Sequence, residues 1–396
     1  MSSSKIETKT LEERMLRGAV KGFYDVQKLR IAVGARILQQ ILSRLDLPME
    51  VKPKSDETPE EKKHRIKTNK LRQEKIEEFL IKLGVTKPSE GVEKQKPSDF
   101  MEVIIKDYKG IVDYMTKNHA SVKRAISEGS IGIISDETEF GLLKMYYHLM
   151  SAEEEAFKVI KPMVHRHPLW INFLQHIRGC GETMAAVIIS ELDIHKAKYV
   201  SAFWKYAGVD VVIFYQYDDD GNLVLDDEGK PIEIAREGRT RHASHQVVHK
   251  YIDKNGKEAE RKGISFNPFL KTKLLGVLGT SFLRSVEKVY DEDGKPIKKE
   301  DGKNLTVPCY YGQVYYDYKH RLNNMSEHDK KTDLHKHNMS VRYMIKYFLL
   351  DLFVAWCLIE NRIPPPPYHE DKLEMEQHSK TCPALLPLYE TYNYAP

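Results

Sequence analysis

The stretch FLQHIRGCGETMAAVIISEL, residues 173–192, carries the strongest structural signal in the chain. Two glycines one residue apart, Gly179 and Gly181, separate helix-like segments at 170–176 and 182–192. Glycine has no Cβ, so both positions can take a positive φ and bring backbone N–H groups close to a ligand. The positive end of the second helix would then face a phosphate. The spacing predicts a helix-hairpin-helix that binds a phosphate backbone, with Arg178 as an additional cation.

The same residues are also compatible with an ordinary helical hairpin that has a glycine-rich turn. The spacing of the two glycines alone therefore leaves a purely structural role open. Glu182 opens the second helix, and its carboxylate would repel a phosphate. The small residues Ala185 and Ala186 favour close packing of two helices. Phosphate binding and simple packing are therefore both compatible with this turn.

A second basic surface supports the nucleic-acid interpretation. Residues 235–250, AREGRTRHASHQVVHK, are rich in arginine and histidine, and NPFLKTKLL follows at 267–275. Tyrosines at 310–318 lie next to further basic residues, and such interleaving suits a nucleic-acid groove. Core packing of the tyrosines and a solvated basic loop are the alternatives. The candidate nucleic-acid contacts are Arg178, Gly179, Gly181, Arg236, Arg239, Arg241, Lys271 and Lys273.

Composition sets weaker limits. The chain has 396 residues and a net charge of +4, which by itself does not establish a nucleic-acid partner. Four scattered cysteines without a CxxC pair predict reduced thiols. The polar start and the lack of a long apolar run predict a protein of the cytoplasm, associated with the nucleoid and without a membrane partner.

The apolar spacing predicts a mainly α fold. We expect a helical region with a charged linker at 1–98, a helical hairpin at 99–164, a domain with the glycine turn at 165–368 and a loose tail at 369–396. Turn-rich insertions at about 209–262 and 290–308 predict β-hairpins. The charged stretch 48–72 is expected to be flexible or solvent-facing, and the sequence shows no internal repeats. Apolar spacing at 11–47 is the basis for predicting a homo-oligomer.

Metal chemistry has little support in the sequence. His335 and His337 give only partial ligand spacing, so no metal site is predicted. The carboxylates of Asp218, Asp219, Asp220, Asp226 and Asp227 fall in expected hairpin turns, where solvation explains them better than a bound ion. Ser265 is expected to cap the helix that follows it.

The order of five segments resembles the C-terminal transposase domain of the insertion-sequence-110 (110/116/902) type transposases. Their sequences are HPLWINFLQHIRGCGETMAAVIISELDI, KYVSAFWKYAGV, KGISFNPFLKTKLLGVLGTSF, YYDYKHRLNN and HNMSVRYMIKYFLLDLFVAWCLIENRIPPPPY, within about 160–368. The resemblance implies a DNA-binding protein of transposition or site-specific recombination, with a serine nucleophile in this domain. It also implies an acidic RNase H-like N-terminal domain, an oligomer, and in characterised members a structured guide RNA.

Two departures from that pattern bear on catalysis. Residues 1–150 show no strands that could hold a set of metal-binding carboxylates, so no cofactor is evident, and Mg²⁺ enters only if the chain keeps the family chemistry. Glu237 and Gly238 stand where a Ser-Gly pair is expected. Ser244, among arginines and histidines, becomes the candidate catalytic residue. An active recombinase, a catalytically inactive DNA- or RNA-binding relative, and a helical scaffold all stay open.

Overall fold

The computed structural model describes residues 9–44, 47–53, 57–82, 97–218, 220–291, 294–299, 302, 304–365 and 382–394. These residues are mainly α-helical, as predicted, with three antiparallel sheets of two strands each. The chain divides into two compact units, Lys21–Lys158, and Met1–Val20 together with Val159–Pro396. No helix in the described part of the chain is both long and apolar enough to span a membrane.

The helices are α1 (Leu11–Ser43), α2 (Pro59–Lys82), α3 (Pro97–Asn118), α4 (Val122–Gly129), α5 (Glu137–Arg166), α6 (Pro168–Asn172), α7 (Glu182–Glu191), α8 (Val200–Ala207), α9 (Pro268–Thr272), α10 (Gly279–Arg284), α11 (Tyr310–Asn323), α12 (Asp333–Ile359) and α13 (Leu386–Tyr392). The strands are β1 (Val211–Tyr215), β2 (Glu233–Gly238), β3 (Val247–Ile252), β4 (Glu258–Gly263), β5 (Val286–Lys288) and β6 (Thr306–Pro308). A π-helical segment, Lys273–Leu278, joins α9 to α10.

The unit Lys21–Lys158 has a core built from one face of each of its helices. Val33, Ile37 and Ile41 recur every four residues on α1 and are almost fully buried. They pack with Ile104 and Ile111 of α3 in one apolar cluster. Part of the apolar spacing that motivates the homo-oligomer prediction is therefore used within the chain, and homo-oligomerisation stays a prediction.

The expectation of a flexible or solvent-facing stretch at 48–72 is wrong as to flexibility from Pro59 onward, because α2 begins there, while most residues of 59–72 are exposed to solvent. Thr58 and Glu61 form a reciprocal capping box. The Glu61 N–H donates to Thr58 Oγ1 at 3.2 Å, and the Thr58 N–H donates to Glu61 Oε2 at 2.9 Å. Pro59 suits the first helical position. Residues 48–72 are highly charged, and this composition favoured the prediction of a segment without regular structure. The capping box and Pro59 nevertheless indicate the start of a helix.

In the other unit, α7 and α12 form the centre of the core. Every residue of α7 from Met184 to Glu191 is buried. Helix α12 packs against α8, α11 and α13, and its buried face includes Phe348, Leu352 and Trp356. This apolar centre fixes the elements that carry the basic residues discussed below.

The expectation of a loose tail at 369–396 is wrong for its second part. Residues 383–385 form a 3₁₀ turn and α13 follows, with Cys382, Leu385 and Leu388 buried. Three apolar side chains at short spacing let this segment pack against α12. Residues 366–381 and 395–396 lie outside the described part of the chain.

The predicted β-hairpin insertions are present as separate two-stranded sheets. In β1–β2, Val211 pairs with Gly238, and in β3–β4, Val247 pairs with Gly263. The third sheet, β5–β6, starts at Val286, directly after the end of α10. The extended backbone of Ser285 ends α10, and the β-branched Val286 then pairs with Pro308.

Four hairpin turns share one construction. In each, an aspartate carboxylate accepts the backbone N–H of the residue four positions later, at 2.7–2.9 Å. A glycine stands at the fourth position of every turn. The aspartates are Asp218, Asp226, Asp253 and Asp291. Asp218 and Asp226 therefore shape turns, as predicted, while Asp219 lies outside the described residues.

A buried carboxyl on α12 gives the fold a predicted pH dependence. Asp351 is 6% exposed and accepts a hydrogen bond from the Tyr311 hydroxyl at 2.8 Å. Burial raises the pKa of Asp351 to about 8, whereas an unfolded aspartate titrates near 3.9. The folded state thus keeps a proton that the unfolded state releases. This stabilising contribution is complete below about pH 4 and is lost as the pH rises through about 8.

Asp351→Asn should remove this dependence, because the amide keeps an acceptor for Tyr311 and does not ionise. We expect the free energy of unfolding of the wild type to fall by a few kcal/mol relative to the variant between pH 5 and pH 9. Urea unfolding at several pH values measures the difference. Asp333→Asn, an exposed change on the same helix, should follow the wild type. Parallel pH profiles for the wild type and Asp351→Asn would contradict the assignment.

Candidate nucleic-acid interface

The glycine turn joins a 3₁₀ segment, Leu174–His176, to α7. Gly179 has φ +94°, and its carbonyl oxygen accepts a hydrogen bond from Ser281 Oγ at 2.7 Å. Gly181 has φ −81° and ψ 173°, so the expectation of a positive φ at both glycines is wrong for Gly181. Gly181 is the N-cap of α7, a position with extended backbone in most helices. The turn therefore requires glycine at position 179 and does not require it at position 181.

Serine substitutions at the two glycines should separate these roles. A Cβ at Gly179 would lie 2.9 Å from Ser285 Oγ and 3.0 Å from Phe282 Cδ1, and the positive φ adds strain. We expect Gly179→Ser to lower the free energy of unfolding by about 1–3 kcal/mol. Gly181→Ser meets open space and supplies a good N-cap, so its effect should stay within about 0.5 kcal/mol. Urea midpoints test this, and equal losses would contradict it.

The charge of Glu182 at the start of α7 is offset locally. Its Oε1 lies 3.1 Å from Lys161 Nζ and 3.2 Å from His165 Nε2. Burial alone would raise the pKa of Glu182, but these hydrogen bonds lower it below its usual range. Arg178 is exposed beside the turn. The repulsion expected from Glu182 is therefore reduced by its own partners.

Arg239 is held by a set of specific hydrogen bonds. Its Nε and Nη2 each donate to Asp210 at 2.7 Å, and its Nη1 donates to Ser265 Oγ at 2.8 Å. Lys271 Nζ donates to the Arg239 carbonyl oxygen at 2.5 Å. Ser265 is thus a partner of Arg239, and the expectation that it caps the following helix is wrong. The N-cap of α9 is Asn267, whose side chain accepts the Leu270 N–H at 3.1 Å.

Two more cations, Arg342 and Lys346, reach this place from α12. A Cβ on Gly238 would lie 1.6 Å from Arg342 Nη1, so the guanidinium lies directly against the glycine backbone. Lys346 Nζ lies 4.3 Å from the centroid of the Trp204 ring. The two residues are four apart in SVRYMIKYFL and so share a helix face. Neither Arg342 nor Lys346 was among the candidates predicted from the sequence.

Arg239, Lys271, Arg342 and Lys346 are called here the basic cluster, and Asp210 is the carboxylate that faces all four. Burial, and then Arg342, lower the pKa of Lys271 to about 8. Burial also lowers the pKa of Arg342 and Lys346. Within the described residues, Arg342 Nε is buried without a hydrogen-bond partner. In the described part of the chain, the carboxylate of Asp210 therefore faces four cations that are partly or fully buried.

Ser244 lies in the 3₁₀ turn Ala243–His245, in the loop between β2 and β3. The Ser244 hydroxyl is exposed, and its Oγ lies 2.8 Å from His242 Nδ1. With Nδ1 unprotonated, the hydroxyl donates to it, which is the arrangement of a nucleophile and its base. Ser244 is accessible to a large substrate and has a proton acceptor in place.

The buried side chain of His245 holds the loop that contains Ser244. It is 3% exposed, and its Nδ1 accepts the backbone N–H of Thr240 at 2.8 Å. Its ring proton is then on Nε2, which lies 3.2 Å from Glu237 Oε2. Together with the Arg239–Asp210 pair, this buried ring holds the backbone on both sides of Ser244.

The remaining sequence candidates do not converge on one point. Arg236 makes a bidentate pair with Glu233, with Nε 2.5 Å from Oε2, and Lys273 Nζ lies 5.7 Å from the Phe269 ring centroid. Arg241 is exposed, and its charge helps lower the pKa of Lys271. The structure brings Arg239 and Lys271 together, with Arg241 near them. Arg178 and the two glycines belong to the separate turn before α7.

The described residues supply no cluster of three or more histidine, cysteine, aspartate or glutamate side chains suited to a metal ion. The acidic metal-binding set that the family resemblance implies stays a prediction. The four cysteines are buried and unpaired. No family model, curated protein or solved structure matches this chain. Its function has to be inferred from the basic cluster and the Ser244 loop.

Proposed function

We propose that the protein binds the phosphate backbone of nucleic acid and acts as a transposase-like enzyme of DNA recombination. The basic cluster carries the proposal. Arg342 has a buried Nε without a partner, and Lys271 and Lys346 are desolvated beside it. Burying charges without enough counter-charge is costly, and such arrangements concentrate at functional sites. A phosphate would supply the missing negative charge and hydrogen-bond acceptors.

The glycine turn supports the same proposal from a second place. Arg178 is exposed next to Gly179, and α7 begins three residues after Gly179. On this proposal the turn is a helix-hairpin-helix of a transposase-type domain, and it positions the duplex without reading its sequence. The family resemblance adds a structured guide RNA and a homo-oligomer as expected partners.

Ser244 and His242 would supply the covalent step. The Ser244 oxygen attacks a backbone phosphorus, and its proton passes to His242 Nδ1. The new Oγ–P bond replaces one P–O bond of the DNA, and the departing deoxyribose oxygen takes a proton and becomes a hydroxyl. Attack by a hydroxyl of another strand reverses the step, forming the new P–O bond and releasing serine. The bond energy is kept in the phosphoserine, so rejoining needs no external energy source.

A catalytically inactive relative that only binds DNA or RNA is the second candidate. Among the described residues, no carboxylate makes a hydrogen bond to His242 that would orient it as a base. Binding and cleavage must therefore be measured separately. Affinity for linear DNA, branched DNA and structured RNA across a salt series tests the binding proposal, and cleavage by the same protein tests the enzyme.

A further inference from the structure

A cavity of about 230 Å³ lies between α11 and α12, and none of its lining residues belongs to the basic cluster, the glycine turn or the Ser244 loop. Four half-buried tyrosines line it, Tyr310 and Tyr318 from α11 and Tyr343 and Tyr347 from α12. Tyr311 and Tyr315 of the same helix are buried in the core, at 1% and 4% exposure. The tyrosine run is therefore divided between core packing and the wall of a cavity.

The walls of the cavity are flat and aromatic. The rings of Tyr318 and Tyr343 stack with centroids 4.0 Å apart and planes 8° apart. The Arg321 guanidinium carbon lies 5.0 Å from the centroid of the Tyr318 ring. Tyr310 and Tyr347 share a side-chain hydrogen bond. The facing sides of Tyr318 and Tyr343 are occupied by each other, so a planar ring system would stack on an outer face of this pair or on Tyr310 and Tyr347.

Polar groups stand at the open side of the cavity. Gln313, Asp317 and Arg321 line it and are exposed. Gln313 Nε2 donates to Asp317 Oδ1 at 2.6 Å, which keeps both groups together on one helix face. An amide, a carboxylate and a guanidinium offer donors and acceptors to the edge of a heterocycle and a cation to a phosphate.

We infer that this tyrosine pocket binds an unpaired nucleobase of the bound nucleic acid, with Arg321 on a neighbouring phosphate. The inference rests on the proposed function and adds to it a preference for single-stranded segments. A cavity of about 230 Å³ has room for one flat ring system. Stacking would provide affinity for any base, and the Gln313–Asp317 pair would provide a choice among bases.

Oligonucleotides with and without bases test the pocket in the intact protein. The wild type should bind single-stranded oligo-dT about tenfold or more tightly than an abasic strand of equal length and charge. Tyr318→Leu should bind oligo-dT as weakly as the wild type binds the abasic strand, with little change on the abasic strand itself. Tyr316→Leu removes an exposed tyrosine from a different face of α11 and should keep the preference. Equal wild-type affinity for the two strands would overturn the inference.

Free adenosine separates failure of the pocket from failure of the proposed function. Saturation-transfer NMR should show adenosine bound to the wild type and to Tyr316→Leu, with the signal lost in Tyr343→Leu. If no oligonucleotide binds but adenosine behaves in this way, the pocket is supported and backbone binding is wrong. If strands bind and adenosine shows no transfer to the wild type, the pocket is wrong and backbone binding stands.

Discussion

Ser244→Ala should abolish DNA strand cleavage and leave nucleic-acid affinity unchanged. The Ser244 hydroxyl lies 2.8 Å from its proton acceptor, His242 Nδ1, and alanine removes the attacking oxygen without altering a charge. Removing a covalent nucleophile lowers rates by about 10³-fold or more. The hydroxyl is exposed, so the fold should be unaffected. Cleavage of end-labelled branched DNA, with the covalent protein–DNA adduct followed on denaturing gels, measures the effect.

Ser201→Ala provides the matched control, because Ser201 is exposed on α8 and is not assigned to binding or catalysis. It should cleave at the wild-type rate. A Ser244→Ala protein that still forms the adduct would exclude this serine as the nucleophile. A wild type that binds DNA tightly and never cleaves it would support the inactive relative.

Lys271→Glu should weaken nucleic-acid binding by about 100-fold at moderate salt. The change replaces a cation by an anion within the basic cluster, where partial burial strengthens charge interactions. The new carboxylate would also pair with Arg342 and compete directly with a phosphate. Because burial lowers the pKa of Lys271 to about 8, wild-type affinity should also decline as the pH rises from 7 to 9. Fluorescence anisotropy with a labelled duplex measures both effects.

Lys144→Glu makes the same charge reversal at an exposed lysine of α5, in the unit Lys21–Lys158. It should cost less than about threefold, the effect of a change in overall charge alone. Equal losses in the two variants would show that affinity follows total charge and not the basic cluster. Circular dichroism of Lys271→Glu establishes whether the variant is folded before the affinities are compared.

The sequence predicted the class of the fold and parts of the basic cluster. Helical spacing identified α1, α5 and α12, and turn residues identified the hairpins. Arg239 and Lys271 stood out because they occur in short basic segments. Each of these features depends on residues that are close together in the sequence, so the sequence alone can predict it.

The partners that complete the cluster are distant in sequence. Asp210 is 29 residues from Arg239, and Arg342 and Lys346 lie on a helix whose composition indicates a core. Asp210, Arg342 and Lys346 come together only because α12 packs against α8. The pattern of neighbouring residues in the sequence does not predict this packing. The failure at Gly181 has another cause, because an N-cap glycine and a turn glycine look alike in sequence.

The salt dependence of binding by the wild-type protein is the first measurement to make. For linear DNA, branched DNA and structured RNA, we expect log Kd to rise linearly with log salt, with a slope near 0.9 for each phosphate contacted on duplex DNA. Arg178→Glu and Lys271→Glu should each weaken binding and reduce that slope by about one. If the protein binds none of the three nucleic acids, or if its affinity does not change with salt, the proposal that it binds a phosphate backbone is contradicted.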